Sequence, residues 1–182
     1  MKISTEQTLK VLNVLAWIIF IGVSIEAGGW IFSTFYTLEI NSVNAHRSWP
    51  GLDLWSLYSY GRGYFLAEML QISFVSLMRA VLFYLIIDLL QKKKLDLARP
   101  FSKNVGRFLF LASFLSLLIG LFSWLGAEYT EWLVSKGVKL PDLQHLRLAG
   151  ADVWLFMGVT LFVIAQIFKK GIEIQTENEL TV

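Results

Sequence analysis

Apolar residues run through the chain in four long blocks interrupted by isolated polar positions. The blocks cover about 11 to 35, 64 to 90, 108 to 134 and 150 to 168. A helix of about 20 residues crosses about 30 Å of hydrocarbon, so each block is long enough for one span, the fourth with least to spare. The expected fold class is all-α: a polytopic integral membrane protein with four transmembrane helices in one bundle, forming a single membrane domain over 1–182. The first block does not read as a cleaved signal peptide. It is too long, Glu26 interrupts it, and no small-x-small cleavage site precedes a mature domain.

Helical spacing then sorts the polar residues by face. The first block places Gly22, Glu26, Gly29 and Ser33 on one stripe, the second Glu68, Gln71, Val75 and Arg79. The third lines up Ser113, Ser116, Gly120, Ser123, Ala127 and Glu131, and the fourth Asp152, Val159, Val163 and Gln166. Small and polar stripes of this kind let membrane helices approach one another and keep polar atoms away from lipid.

The connections carry their own patterns. The segment 36–63 holds the run LDLWSLY, which reads as a short amphipathic helix in the interface, among Trp49, Trp55, Tyr58 and Tyr60, which read as an aromatic belt. In 135–149 the run PDLQHLRL, with Pro141 at its start and Leu143 and Leu146 three apart, predicts another short surface helix. Ser102 stands where an N-cap of the third helix is expected. Lys169 and Lys170 are expected to close the fourth helix, with Gly171 as its break and 169–182 as a tail.

Charge placement supplies the topology. Of the 16 Lys and Arg residues, ten (Lys2, Lys10, Lys92, Lys93, Lys94, Arg99, Lys103, Arg107, Lys169, Lys170) fall on one side of the four spans and five (Arg47, Arg62, Lys136, Lys139, Arg147) on the other. The positive-inside rule therefore predicts cytoplasmic termini and a cytoplasmic 91–107 loop, with 36–63 and 135–149 outside. The sixteenth, Arg79, is inside a span. At about 1.5 Å per residue it lies about 16 Å from the cytoplasmic end, with Glu26 about 21 Å in and Asp152 slightly further out. A guanidinium at that depth costs several kcal/mol unless paired, so Glu26 is its first expected partner and Asp152 its second. Glu68, Glu128 and Glu131 fall near the outer boundary and Asp88 at the inner edge, where a carboxylate reaches water.

Composition agrees with the pattern: 55% of residues are hydrophobic and only 16% charged, against about a quarter charged in soluble domains. The absence of cysteine excludes disulfide exchange, thiolate catalysis and Cys-built metal or iron–sulfur sites, and with them the quinone-linked disulfide oxidases that use a similar bundle. The two histidines, His46 and His145, stand far apart in connections, so no metal site and no cofactor is expected. No Ser/His or His/Glu pair has catalytic spacing, and no phosphate loop or dinucleotide fingerprint is present, so the chain does not read as an enzyme.

The inner loop and the end of the chain are the most distinctive stretches. Pro100, Phe101 and Ser102, followed by Asn104 and Arg107, precede the third helix, and the chain closes IFKKGIEIQTENELTV. With four spans, these features resemble the bacterial YoaS-like membrane proteins, a domain of unknown function. The resemblance extends over nearly the whole chain, though only the inner loop and tail are specific; the long aromatic outer loop looks peculiar to a subgroup of the family. It implies a multi-pass protein of the bacterial inner membrane, in a family often found with a small cytoplasmic helix-turn-helix regulator, and no catalytic residue to carry over. It points to Pro100, Phe101, Ser102, Glu173, Gln175, Glu177 and Asn178 as a cytoplasmic partner surface.

Two readings follow. The first is a non-enzymatic membrane sensor or regulatory partner of a cytoplasmic protein. The alternative is a small ion or proton transporter or channel, a monomer or homo-oligomer with Glu26, Arg79 and Asp152 lining its path; Gly28 and Gly29 are the nearest approach to a broken helix. The basic inner loop is read as a topology determinant at the surface of the lipid bilayer, with no direct nucleic-acid binding expected.

Overall fold

The computed structural model describes residues 5–91 and 101–180. Five α-helices follow in order: α1 (Thr5–Phe35), continued by one wider turn over Tyr36–Ile40, then α2 (Trp55–Tyr60), α3 (Arg62–Gln91), α4 (Lys103–Ser135) and α5 (Ala151–Leu180). Among the described residues there is no strand, and one isolated bridge pairs Ser48 with Leu52. The four long helices are each long and apolar enough to cross a membrane.

The long helices pack in chain order, α1 on α3, α3 on α4 and α4 on α5, while α1 and α5 make no comparable backbone approach. The array therefore has a cap end, where the 41–61 and 136–150 connections lie, and a tail end, where α1 and α4 begin and α3 and α5 finish. Its tightest packing is toward the cap: Trp30, Leu54, Leu57, Phe65, Met69, Leu133, Leu146 and Leu148 are all fully buried. Along α1 and α5 most apolar side chains, among them Ile18, Ile25, Phe32, Phe156 and Ile167, remain exposed, the pattern of helices that face lipid.

The contact between α4 and α5 is built on glycine. Leu155 of α5 sits over Gly120, where an added Cβ would come within 2.7 Å of its Cγ and 2.9 Å of its backbone N. Leu117 of α4 sits over Gly158 with the same two distances, 2.7 and 2.9 Å. The stripe Asp152, Val159, Val163 and Gln166, expected to pack, is instead exposed, and α5 buries Gly158 and Ala165 on the opposite side. Small side chains, rather than polar ones, set this face because they let two backbones approach closely.

Of the expected helix ends, the start of α4 is found where the sequence places it and the end of α5 is not. Ser102 is the N-cap of α4, its hydroxyl accepting from Val105 N at 3.3 Å. Lys169, Lys170 and Gly171 do not close the fourth helix, which runs on to Leu180. Phe101 fills the space left by the missing side chain of Gly171 and lies 5.2 Å from the Phe168 ring, and Lys170 pairs with Glu173 one turn on at 3.2 Å. These contacts offset the modest helix penalty of a single glycine.

In the first connection, LDLWSLY does contain a helix, α2, whose first turn Asp53 caps by accepting from Trp55 N at 2.9 Å. The rest of the connection folds back on α1. Asn44 donates to Ser33 Oγ and Thr37 Oγ1 at 3.2 and 2.9 Å, Trp49 N donates to Ser33 Oγ at 3.1 Å, and the Trp49 indole lies flat over Gly29. The Gly29/Ser33 stripe thus seats a connection, not another helix. Arg62 fastens the far end of this segment by donating to Leu38 O.

The second connection contains no helix. PDLQHLRL forms consecutive turns in which Leu146 N reaches Asp142 O at 3.1 Å and Leu148 N reaches Leu143 O at 2.9 Å. Arg147 then adopts φ +62°, the left-handed region that β-carbons disfavour, and this reversal prevents a second helical turn. Leu146 and Leu148 on either side are buried, Leu148 against Gly126 of α4, so the segment packs inward along α4 instead of lying on the surface.

Candidate functional site

The left-handed backbone at Arg147 delivers its side chain to α1. Arg147 Nε lies 2.9 Å from Glu26 Oε1, so the cation that neutralises Glu26 comes from the connection before α5 and not from α3. The expected Arg79–Glu26 ion pair is corrected accordingly. Arg79 lies within electrostatic reach of both Glu26 and Arg147, but its guanidinium sits over the Trp154 ring, 5.5 Å from the centroid, and its buried Nε has no hydrogen-bond partner. A ring face stabilises a cation without supplying a countercharge. Two guanidiniums thus share one carboxylate, and the cluster joins α1, α3, the 136–150 connection and the first turn of α5.

Asp152 is not part of it. It is exposed in the first turn of α5, makes no ion pair among the described residues, and points away from the face on which Trp154 meets Arg79. A carboxylate there is favoured by the helix dipole.

Glu68, expected near water, is fully buried. Thr130 Oγ1 lies 2.7 Å from Glu68 Oε1 and 2.8 Å from Gly126 O, so one hydroxyl proton serves two acceptors. Among the described residues Glu68 Oε2 has no hydrogen-bond partner, and neither do the buried Gln71 Oε1, Ser76 Oγ and Ser123 Oγ. Glu68, Gln71, Val75 and Arg79 do share a face of α3, and Ser113, Ser116, Gly120 and Ser123 are buried along α4. Beyond Ser123 the buried row of α4 continues through Gly126 and Thr130, while Glu131 is exposed. Missing from the sequence reading were Arg147, Trp154 and Thr130. The one available signal was the mismatch of an acid deep in the first block with a cation in the connection before the fourth.

At the tail end, Phe101, Glu173 and Glu177 are exposed, Ser102 and Gln175 are half-buried, and Phe101 packs against α5. Pro100 and the side chain of Asn178 lie outside the described residues, as do Lys92, Lys93, Lys94 and Arg99. No group of three or more His, Asp or Glu side chains among the described residues is arranged to hold a metal ion.

In the connections, two carboxylates are held below the ordinary range. Asp53 is stabilised by the Trp55 N–H and by His46, whose ring also stacks on Trp55 at 4.6 Å. Asp142 is stabilised by the backbone N–H of His145 and then by its imidazole, 2.8 Å away. Comparison with known proteins brings no relative to this arrangement: no family model, curated protein or solved structure matches the chain.

Proposed function

We propose that the chain is a non-enzymatic protein of the bacterial inner membrane, with both termini in the cytoplasm, that relays a condition outside the membrane to a cytoplasmic partner. The observation that carries this reading is the continuity of α5. It begins four residues after Arg147, which is tied to Glu26, and continues unbroken beyond Lys169 and Lys170 to Leu180. A shift of the outer connection that breaks or makes the Arg147–Glu26 pair acts directly on the start of a helix whose other end lies among the residues assigned to the partner surface. A two-state element biased by a local ion pair is the general form of such switches.

The ten basic residues that the sequence assigns to one side of the spans support the orientation. The resemblance of the inner loop and terminal stretch to the YoaS-like family supports a helix-turn-helix regulator as the partner. The absence of cysteine makes the test direct, since two introduced cysteines carry spin labels with no background. With labels at Val14→Cys on α1 and Ile174→Cys on α5, Arg147→Leu is expected to change the interspin distance distribution in nanodiscs. An unchanged distribution sinks the relay. Deleting 175–182 is expected to abolish the response of a neighbouring regulator while membrane insertion is retained.

A second reading, a small proton or ion transporter, is favoured by one observation: the unpartnered polar atoms of Glu68, Gln71, Ser76 and Ser123 between α3 and α4. It expects a flux in liposomes that Glu68→Gln abolishes, and absence of flux in the unmodified protein dismisses it.

A further inference from the structure

Three cations converge at the tail end of the α4–α5 contact. Lys103 and Arg107, one turn apart on α4, and Lys169 on α5 line a crevice of 370 Å³ whose apolar wall is Phe110, Ala165 and Ile172. Among the described residues no carboxylate lies within ion-pair distance of any of the three. Glu173 also lines the crevice, but its carboxylate is taken by Lys170 at 3.2 Å. The crevice is open at Gly106, which has no side chain to fill it and where an added Cβ would meet only the Ile172 tip, and the apolar wall continues along Phe110 to Phe162, rings 6.2 Å apart and both exposed on the lipid-facing surface.

We infer that this crevice binds the phosphate headgroup of an anionic phospholipid, with an acyl chain along Phe110 and Phe162. Three unpaired cations supply a charge that a zwitterionic headgroup does not match, and their spread over two helices suits a phosphodiester with several acceptor oxygens. Basic pockets between membrane helices are the general form of such headgroup sites. The apolar wall selects a lipid over free phosphate, which has no use for it. The inference rests on the four helices crossing a membrane, not on the relay through Arg147.

The test is lipid retention on the full-length protein in detergent micelles, read by native mass spectrometry with phosphatidylglycerol and phosphatidylcholine offered in equal amounts. Phosphatidylglycerol is expected to be retained preferentially, and Arg107→Gln with Lys169→Gln to reduce its retention about tenfold. Arg47→Gln with Lys139→Gln, at the cap end, is expected to leave retention unchanged. Equal retention of the two lipids, or equal loss in both double variants, overturns the inference. Should the first double variant fail to elute as a folded species, a sodium chloride series on the unmodified protein replaces it, and retention independent of salt overturns the inference. Inorganic phosphate distinguishes the source: displacement of the lipid by phosphate at comparable concentration assigns the crevice to a soluble anion instead.

Discussion

Arg147, held at φ +62°, reaches across from the turn before α5 to place its Nε 2.9 Å from Glu26 Oε1 on α1. A strained backbone residue whose side chain makes an ion pair with a distant helix is a candidate for a functional constraint, because strain of about 1–3 kcal/mol persists only where its surroundings hold it.

Removing either partner should therefore cost more than removing both. Arg147→Leu leaves Glu26 only the more distant Arg79, and Glu26→Leu leaves two guanidiniums with no carboxylate between them, so each is expected to destabilise the protein by about 1–3 kcal/mol. The double variant should lose less than the sum of the two, and thermal unfolding in detergent measures the coupling. Strict additivity would mean that the pair contributes nothing. Arg79→Leu, which leaves the Arg147–Glu26 pair in place, should lose the contact with Trp154 and the longer-range attraction to Glu26, offset in part by relief of the repulsion from Arg147.

The glycines of the α4–α5 contact make a separate prediction. Gly120→Ala and Gly158→Ala each place a methyl group against a backbone nitrogen 2.9 Å away, and overpacking of this kind costs about 1–3 kcal/mol. Gly22 and Gly28 meet nothing within 4 Å, so alanine there should be neutral or stabilising by its better helix propensity. Thermal midpoints of the four variants decide the matter.

Glu68 provides a test of polar satisfaction. In Glu68→Gln the side-chain amide donates to Thr130 Oγ1, which frees the Thr130 proton for Gly126 O, so this variant should keep its stability. Thr130→Val deprives a fully buried carboxylate of its one donor and should cost about 1.5–3 kcal/mol. The reverse order of the two midpoints would show that the hydroxyl is not the group that satisfies Glu68.

Acid should act late on the carboxylates of the connections, which are held below the ordinary range. The Asp142 carboxyl is lowered from 3.8 by the His145 backbone N–H and imidazole, so whatever it contributes to the 142–149 turn is fully present above pH 3.8 and is lost as pH falls through its lower folded value. Carboxyl chemical shifts followed by NMR should give a midpoint for Asp142 below 3.8 that rises only part of the way to the ordinary value in His145→Ala, because the backbone N–H at 145 remains.

The spans were legible from hydropathy alone, because a run of about 20 apolar residues has few other uses. Their ends were not. Lys169, Lys170 and Gly171 read as a stop because basic side chains and glycine favour helix termini, but Phe101, 70 residues away in sequence, fills the glycine's gap and keeps the helix going. Arg147 escaped notice for a related reason: its partner is on α1, and only a backbone reversal that no local propensity demands directs it there. Glu68 was placed near water by counting residues along α3, which takes no account of Thr130 closing over it from α4. In each instance the missing information was a contact between segments far apart in the chain.

The reciprocal seating of Leu155 over Gly120 and Leu117 over Gly158 limits how α5 can move. To slide along its axis it would have to lift both leucines out of their notches at once, whereas α1 is free of it. The two helices are therefore expected to travel together, so that the proposed relay would take the form of a tilt of the pair, like an oar in a rowlock, with labels on α4 and α5 keeping their separation while both change distance to α1.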